Sequence, residues 1–253
     1  MTGFGREIAT IEIVEIIRRT EQGATRPYVC RAETGDLYFV KGKGAGHGSL
    51  AKEWIAGSLA KCMGLPIPDI AILTVPPALV GRDRPELLSG LGTGEAFGSK
   101  AVEGSDEIAM ADIASVPTGL KREIAVFDWW LLNGDRTLSE NGGNPNILWS
   151  TQDATLHVID HNLAFDGSVT LSSLEHDHIF GEALTEVVET VELRQAFAER
   201  LHECLVIWDD IWLQMPERWN FVDDLLTMET GFAKAEAERL LRRCDSDRMW
   251  TRP

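Results

Sequence analysis

Long apolar runs are missing from this chain of 253 residues, although 44% of it is hydrophobic. No stretch approaches the roughly 18 apolar residues of a membrane-spanning helix. A secretory leader core is missing too, because MTGFGREIATIEIVEI carries charges from its start. The four cysteines, Cys30, Cys62, Cys204 and Cys244, are scattered and lack any paired zinc spacing. They read as free buried thiols in a reducing, cytoplasmic setting. Positive charge is scarce. Against 40 Asp and Glu stand 24 Lys and Arg, a formal charge of −16, which argues against general binding to nucleic acid or an anionic membrane, both polyanions. No Gly-Lys-Ser or Gly-Lys-Thr completes a Walker A loop, and there is no internal repeat or low-complexity tract.

What is present is concentrated in residues 135–165, DRTLSENGGNPNILWSTQDATLHVIDHNLAF. A polar loop with Asp135, Asn144 and Asn146 leads into an apolar strand over 146–149. Residues 150–154 make a polar turn and 155–159 a return strand, so the segment predicts a β-hairpin. Asp160 follows where that strand gives way to a loop. A carboxylate placed directly after an apolar strand must be solvated, paired or bound to metal, and an Asp that only caps the next turn is the plain alternative. With Asp135 and the two Asn, the set aims acidic and amide oxygens at one metal–phosphate site, as phosphoryl transfer requires.

The stretches NGDRTLSENGGNPNILW and VIDHNLAF resemble the catalytic loop and metal-binding segment of HipA-like kinases, and more distantly those of type II phosphatidylinositol 4-kinases. The resemblance implies an α+β chain with a two-lobed protein-kinase-like fold. Residues 1–104 would form a small β-rich nucleotide-binding lobe and residues 105–253 a larger, mainly helical catalytic lobe. It implies Asp135 as catalytic base, Asp160 as the main ligand of Mg²⁺, and Asn146 or Asn144 as a further ligand. Asn146 ranks first because it directly precedes the strand. The spacer from Thr137 to Gly143 is longer than the family's and, being rich in Ser, Asn and Gly, reads as a flexible surface excursion.

A kinase needs a nucleotide-gripping lysine and a glutamate to brace it. DLYFVKG at 36–42 reads as a strand carrying Lys41, and twelve residues later Glu53 falls in the first turn of a helix capped by Ser49 and stopped by Gly64 and Pro66. Trp54, Ile55, Ser58, Leu59 and Cys62 mark one face of that helix. The plain alternative is an edge-strand lysine and a helix-dipole glutamate. For the loop over the phosphates there are two candidates. Gly23, Thr25 and Arg26 precede Lys41 as a kinase phosphate loop would, whereas GKGAGHGS at 42–49 is richer in glycine and leads into a helix. The first is preferred on position and resemblance.

Further strands are expected in 66–80 and 96–102, with Ala101, Val102 and Glu103 as adenine-contacting hinge by analogy of fold. Residues 120–132 read as a helix, and helices are expected over 183–210, 220–228 and 232–244. Trp208, Trp212, Trp219 and Trp250 read as packing of the large lobe rather than a substrate platform. His176 and His178 in EHDHIF read as an exposed loop rather than a metal site, and His161 as a second candidate for steering the metal segment.

The expected activity is transfer of the ATP γ-phosphate, with Mg²⁺, to a hydroxyl of an acceptor, a protein in preference to a lipid or small molecule. The alternatives are a nucleotide-binding pseudokinase serving as an interaction module, and transfer of AMP. Toxin members of the family carry an additional N-terminal domain, for which the lysine strand near residue 36 leaves no room, so toxin activity is not expected.

Overall fold

The structure is a computed structural model that describes residues 9–21, 25–81, 83–139, 142–223 and 225–252. Strands β1 (Ile11–Arg19), β2 (Tyr28–Ala32) and β3 (Leu37–Lys41) are followed by helix α1 (His47–Met63). Next come β4 (Ile70–Val75), the short helices α2 (Pro77–Val80) and α3 (Pro85–Gly90), then β5 (Gly94–Lys100) and β6 (Asp106–Glu107). Helix α4 (Thr118–Leu131) leads to β7 (Thr137–Ser139), β8 (Gly142–Asn144), β9 (Ile147–Ser150) and β10 (Thr155–Val158). The remainder is α5 (Leu171–Asp177), α6 (Gly181–Glu189), α7 (Val191–Cys204), α8 (Trp208–Gln214) and α9 (Lys234–Leu241), with 3-10 turns between them.

The chain divides into two compact units. The first comprises Met1–Trp54, Asp69–Ala101 and Asp210–Phe232. Its centre is a closed five-stranded barrel in the order β1-β2-β3-β5-β4, antiparallel except where β1 meets β4. Closure removes the exposed strand edges that invite mispairing. Ile13, Cys30, Tyr38, Val40, Leu73 and Ala96 fill the interior with inward-facing side chains. β3 is bonded on both sides, to β2 and β5, so Lys41 is not on an edge strand.

The second unit comprises Ile55–Pro68, Val102–Asp209 and Ala233–Pro253. Its core is α4, whose Ile124 through Leu131 are all buried, packed with α6, α7 and α9. Trp130 donates its indole N–H to the Leu241 carbonyl at 2.7 Å. Trp208 and Trp250 are buried residues of this unit, whereas Trp219, also buried, and Trp212, half-buried, belong to the first unit and not to the large lobe.

Several boundaries differ from the sequence reading. Helix α1 begins at His47, with the Ser49 and Leu50 amides bonded to the Gly46 carbonyl, so Ser49 is inside the helix and Glu53 lies in its second turn. Its buried residues include Leu50, Ala51, Ile55, Ala56, Leu59 and Ala60, while Cys62 is exposed, so only three of the four thiols are buried. In 66–80 only Ile70–Val75 is a strand, because Pro77 starts a helical turn instead. The helix expected over 220–228 does not form. Asp223 accepts from the Thr227 amide at 2.9 Å, closing a loop, and Phe221 pairs with Glu229 as an isolated bridge. The apolar residues there, Val222, Leu225 and Met228, face solvent, so their spacing has no core to act upon. Residues 183–210 are broken at Thr190, between α6 and α7.

Candidate active site

In the first unit, Lys41 and Glu53 are 9% and 2% exposed, and Lys41 Nζ donates to Glu53 Oε1 at 2.5 Å. Burying two charges is costly unless they meet, so the pair defines how β3 and α1 stand to each other. The glycine after the lysine is required by space. A Cβ on Gly42 would lie 2.0 Å from the Leu91 carbonyl oxygen, the acceptor of the Lys43 amide. The glycine-rich stretch 42–49 is therefore a tight 3-10 turn against Leu91 that runs into α1. Thr25 and Arg26 lie between β1 and β2, where the Arg26 carbonyl accepts from Arg19 Nε at 3.1 Å. Gly23 lies outside the described residues. Ala101 ends the first unit and Val102 begins the second. The Ala101 amide is given to the Leu37 carbonyl, and the Val102 carbonyl accepts from Ser105 Oγ at 3.2 Å.

The second unit brings together Asp135, Asn144, Asn146 and Asp160. Helix α4 ends with Leu132 in the left-handed conformation and the Asn133 amide bonded to the Asp128 carbonyl, a tight C-terminal stop. The chain then turns to Asp135. The longer spacer is a paired hairpin, not an irregular excursion. Thr137 faces Asn144, Leu138 faces Gly143, and Ser139 faces Gly142. That register returns Asn144 to Asp135, and a side chain at Gly143 would strike the Thr137 carbonyl at 2.4 Å. Asp135 Oδ2 accepts from Asn144 Nδ2 at 2.7 Å and Asn146 Nδ2 at 3.0 Å. Both amides give their N–H to the carboxylate, which turns their oxygens away from it.

The expected β9–β10 hairpin forms with its bounds shifted by one residue, since Asn146 and Ile159 lie outside the strands and Ser150 inside, with Ile147 opposite Val158 and Ser150 opposite Thr155. One step beyond that register, the Ile159 amide donates to the Asn146 carbonyl at 3.0 Å. The hairpin thus sets Asn146 beside the residue that precedes Asp160. Both Asn146 and Asp160 have positive φ, 48° and 56°, a region that Asn and Asp enter more readily than most residues. Asp160 offers a carboxylate and Asn144 and Asn146 offer amide oxygens, donors of the kind Mg²⁺ accepts. Among the described residues no three His, Cys, Asp or Glu side chains cluster as a metal cage.

Beneath these residues lies a buried polar hub that the sequence reading missed. Arg136 is fully buried. Its Nε donates to Asp128 Oδ2 at 2.6 Å, and its Nη1 reaches the carbonyls of Asn146 at 2.5 Å, Ile159 at 3.2 Å and Pro145 at 3.3 Å. Asp128 also meets Asn133 Nδ2 at 2.8 Å and His178 Nε2 at 2.9 Å. His178 is thus buried and bonded, not in an exposed loop, whereas His176 is exposed. Burial alone would raise the Asp128 pKa, but the Arg136 charge and the His178 hydrogen bond outweigh it and hold the carboxyl well below the usual range. One guanidinium fork therefore ties helix α4 to both ends of the hairpin that carry Asn146 and Asp160. The signal was available, because Asp128 interrupts the apolar run AVFDWWLL and a carboxylate there needs a partner. His161 is buried against Phe127, ring centroids 5.8 Å apart, within the core beside the hub.

A family model described as HipA-like kinase matches residues 13–253. The chain belongs to the HipA-like kinase family. No curated protein matches the kinase by sequence. Among solved structures it is similar to a Helicobacter pylori proinflammatory kinase, CtkA, at 12% identity and a TM-score of 0.46, covering 94% of this chain and 95% of that one.

Proposed function

We propose that this HipA-like kinase transfers the γ-phosphate of ATP to a hydroxyl group, a Ser or Thr of a protein acceptor in preference to a lipid or small molecule, in a two-lobed protein-kinase-like fold. The observation that carries the reading is the convergence of two amide donors on a single oxygen of Asp135. With Oδ2 so engaged, Oδ1 is the oxygen that takes the acceptor proton as its hydroxyl attacks. The nucleotide-gripping residues fall within 1–104 and the transfer residues within 105–253. Lys41, braced by Glu53, meets the α- and β-phosphates. Thr25 and Arg26 of the β1–β2 turn meet the phosphates, and the Val102–Glu103 backbone meets adenine. Asp160 with the amide oxygen of Asn146 would hold Mg²⁺, and Asn144 is the alternative amide. The ion supplies neutralisation of the phosphate charge, and Arg136 keeps its two protein ligands side by side.

The test is steady-state kinetics beside nucleotide titration. Asp135→Ala should lower kcat by about 10²–10⁴-fold with ATP affinity nearly unchanged. Asp160→Ala should weaken Mg-ATP binding itself. Equal loss of ATP affinity in both variants, with turnover per bound nucleotide preserved, would refute these roles.

A further inference from the structure

The second unit contains a cavity of about 440 Å³ whose walls include Trp129, Val169, Leu171 and Met249 and whose polar groups include Arg243 and Arg248. It is large enough for a small organic molecule. Apolar side chains make most of its wall, and no Asp or Glu is among the residues that line it.

Neither arginine makes an ion pair with a carboxylate among the described residues. Acids outnumber bases 40 to 24, and arginines 31, 122, 136, 200, 218, 242 and 252 all pair with carboxylates. Arg243 pairs only with neutral groups. Its Nε donates to the Leu240 carbonyl and its Nη2 to the carbonyls of Trp129 and Trp130, each at 3.0 Å, and its Cζ sits 4.7 Å from the Trp129 ring centroid. Burial with no carboxylate to offset it pushes this guanidinium down to about 10. Nη1 makes none of these bonds. Arg248 has its backbone fixed by Ser246 and Thr251, while its guanidinium, on the exposed rim, forms no ion pair among the described residues.

The aromatic wall is held equally firmly. Trp129 donates its indole N–H to the Met249 carbonyl at 2.9 Å. Guanidinium and indole are therefore in place before anything binds, so an occupant loses little to ordering the site. Two cations without counter-ions, beside an apolar wall, call for a ligand that supplies both negative charge and an apolar body.

We infer that this cavity is a binding site for a small organic anion, with its phosphate or carboxylate between Arg243 and Arg248 and its apolar part against Trp129, Leu171 and Met249. The cavity shares no lining residue with the set Asp135, Asn144, Asn146 and Asp160.

Titration calorimetry of the full chain at low salt, with phenyl phosphate as probe, tests it. Arg243→Ala would remove three ties to backbone carbonyls and endanger the fold, so the variants are Arg248→Ala and Arg248→Lys, at an exposed position. Phenyl phosphate should bind saturably, about tenfold or more weaker to Arg248→Ala, with Arg248→Lys recovering part of the loss. Benzyl alcohol should not bind, and inorganic phosphate should bind more weakly than phenyl phosphate. Absence of saturable binding, equal affinity for the parent and Arg248→Ala, or inorganic phosphate binding as tightly as phenyl phosphate would each overturn the proposal.

Discussion

Two buried ion pairs dominate the electrostatics of this molecule at the level of single residues. Lys41–Glu53 and Arg136–Asp128 each place opposite charges out of water, where removing one partner takes the compensating charge from the other. Arg136→Leu should therefore cost about 3–5 kcal/mol, read from urea unfolding. Arg136→Lys should keep the charge yet lose the fork to the Asn146 and Ile159 carbonyls, so it should raise the Mg²⁺ concentration needed for half-maximal activity. A loss under 1 kcal/mol for Arg136→Leu would show that the hub is dispensable. Asp128 gives the fold a pH dependence of definite sign. Its folded pKa lies below the ordinary 3.8, so its stabilisation is complete above that value and drains away as pH falls through the folded pKa. Asp128→Asn should flatten the acid limb of stability below about pH 4, measured as urea midpoints at successive pH. An acid limb identical in parent and variant would contradict the assignment.

Among the elements, the two hairpins of the second unit matter most. The β7–β8 hairpin returns Asn144 to Asp135, and its close approach depends on Gly143, whose Cβ would meet backbone atoms of Thr137 and Leu138. Gly143→Ala should cost about 1–3 kcal/mol of stability and lower kcat by displacing Asn144. Unchanged thermal unfolding and unchanged kcat would show that the turn yields freely. Elements differed in how far they could be read in advance. The β9–β10 hairpin was legible because alternation, a polar turn and a terminal Asp agree on one register. The spacing of Lys41 and Glu53 was legible as well, although α1 starts earlier than Ser49 implied. The β7–β8 pairing was hidden by its Ser, Asn and Gly composition, which matches a loop equally well. His178 was misread because its partner, Asp128, lies 50 residues earlier in the chain, beyond any local pattern. Residues 220–228 failed for the opposite reason, since their apolar spacing suits a helix but faces solvent.

At the scale of the whole molecule, the formal charge of −16 sets the terms on which partners are met. It opposes association with polyanions at long range. Among the described residues no helix is long and apolar enough to cross a membrane. The most direct measurement is product formation by the purified chain with Mg-ATP, followed as ADP release and intact mass, beside Asp135→Ala. The parent should release ADP and gain the mass of a phosphate on itself or on an added protein acceptor, while Asp135→Ala binds ATP equally well and turns over at least about a hundredfold more slowly. ATP binding with no ADP release by either protein would point to a pseudokinase, and equal turnover by both would contradict the role given to Asp135.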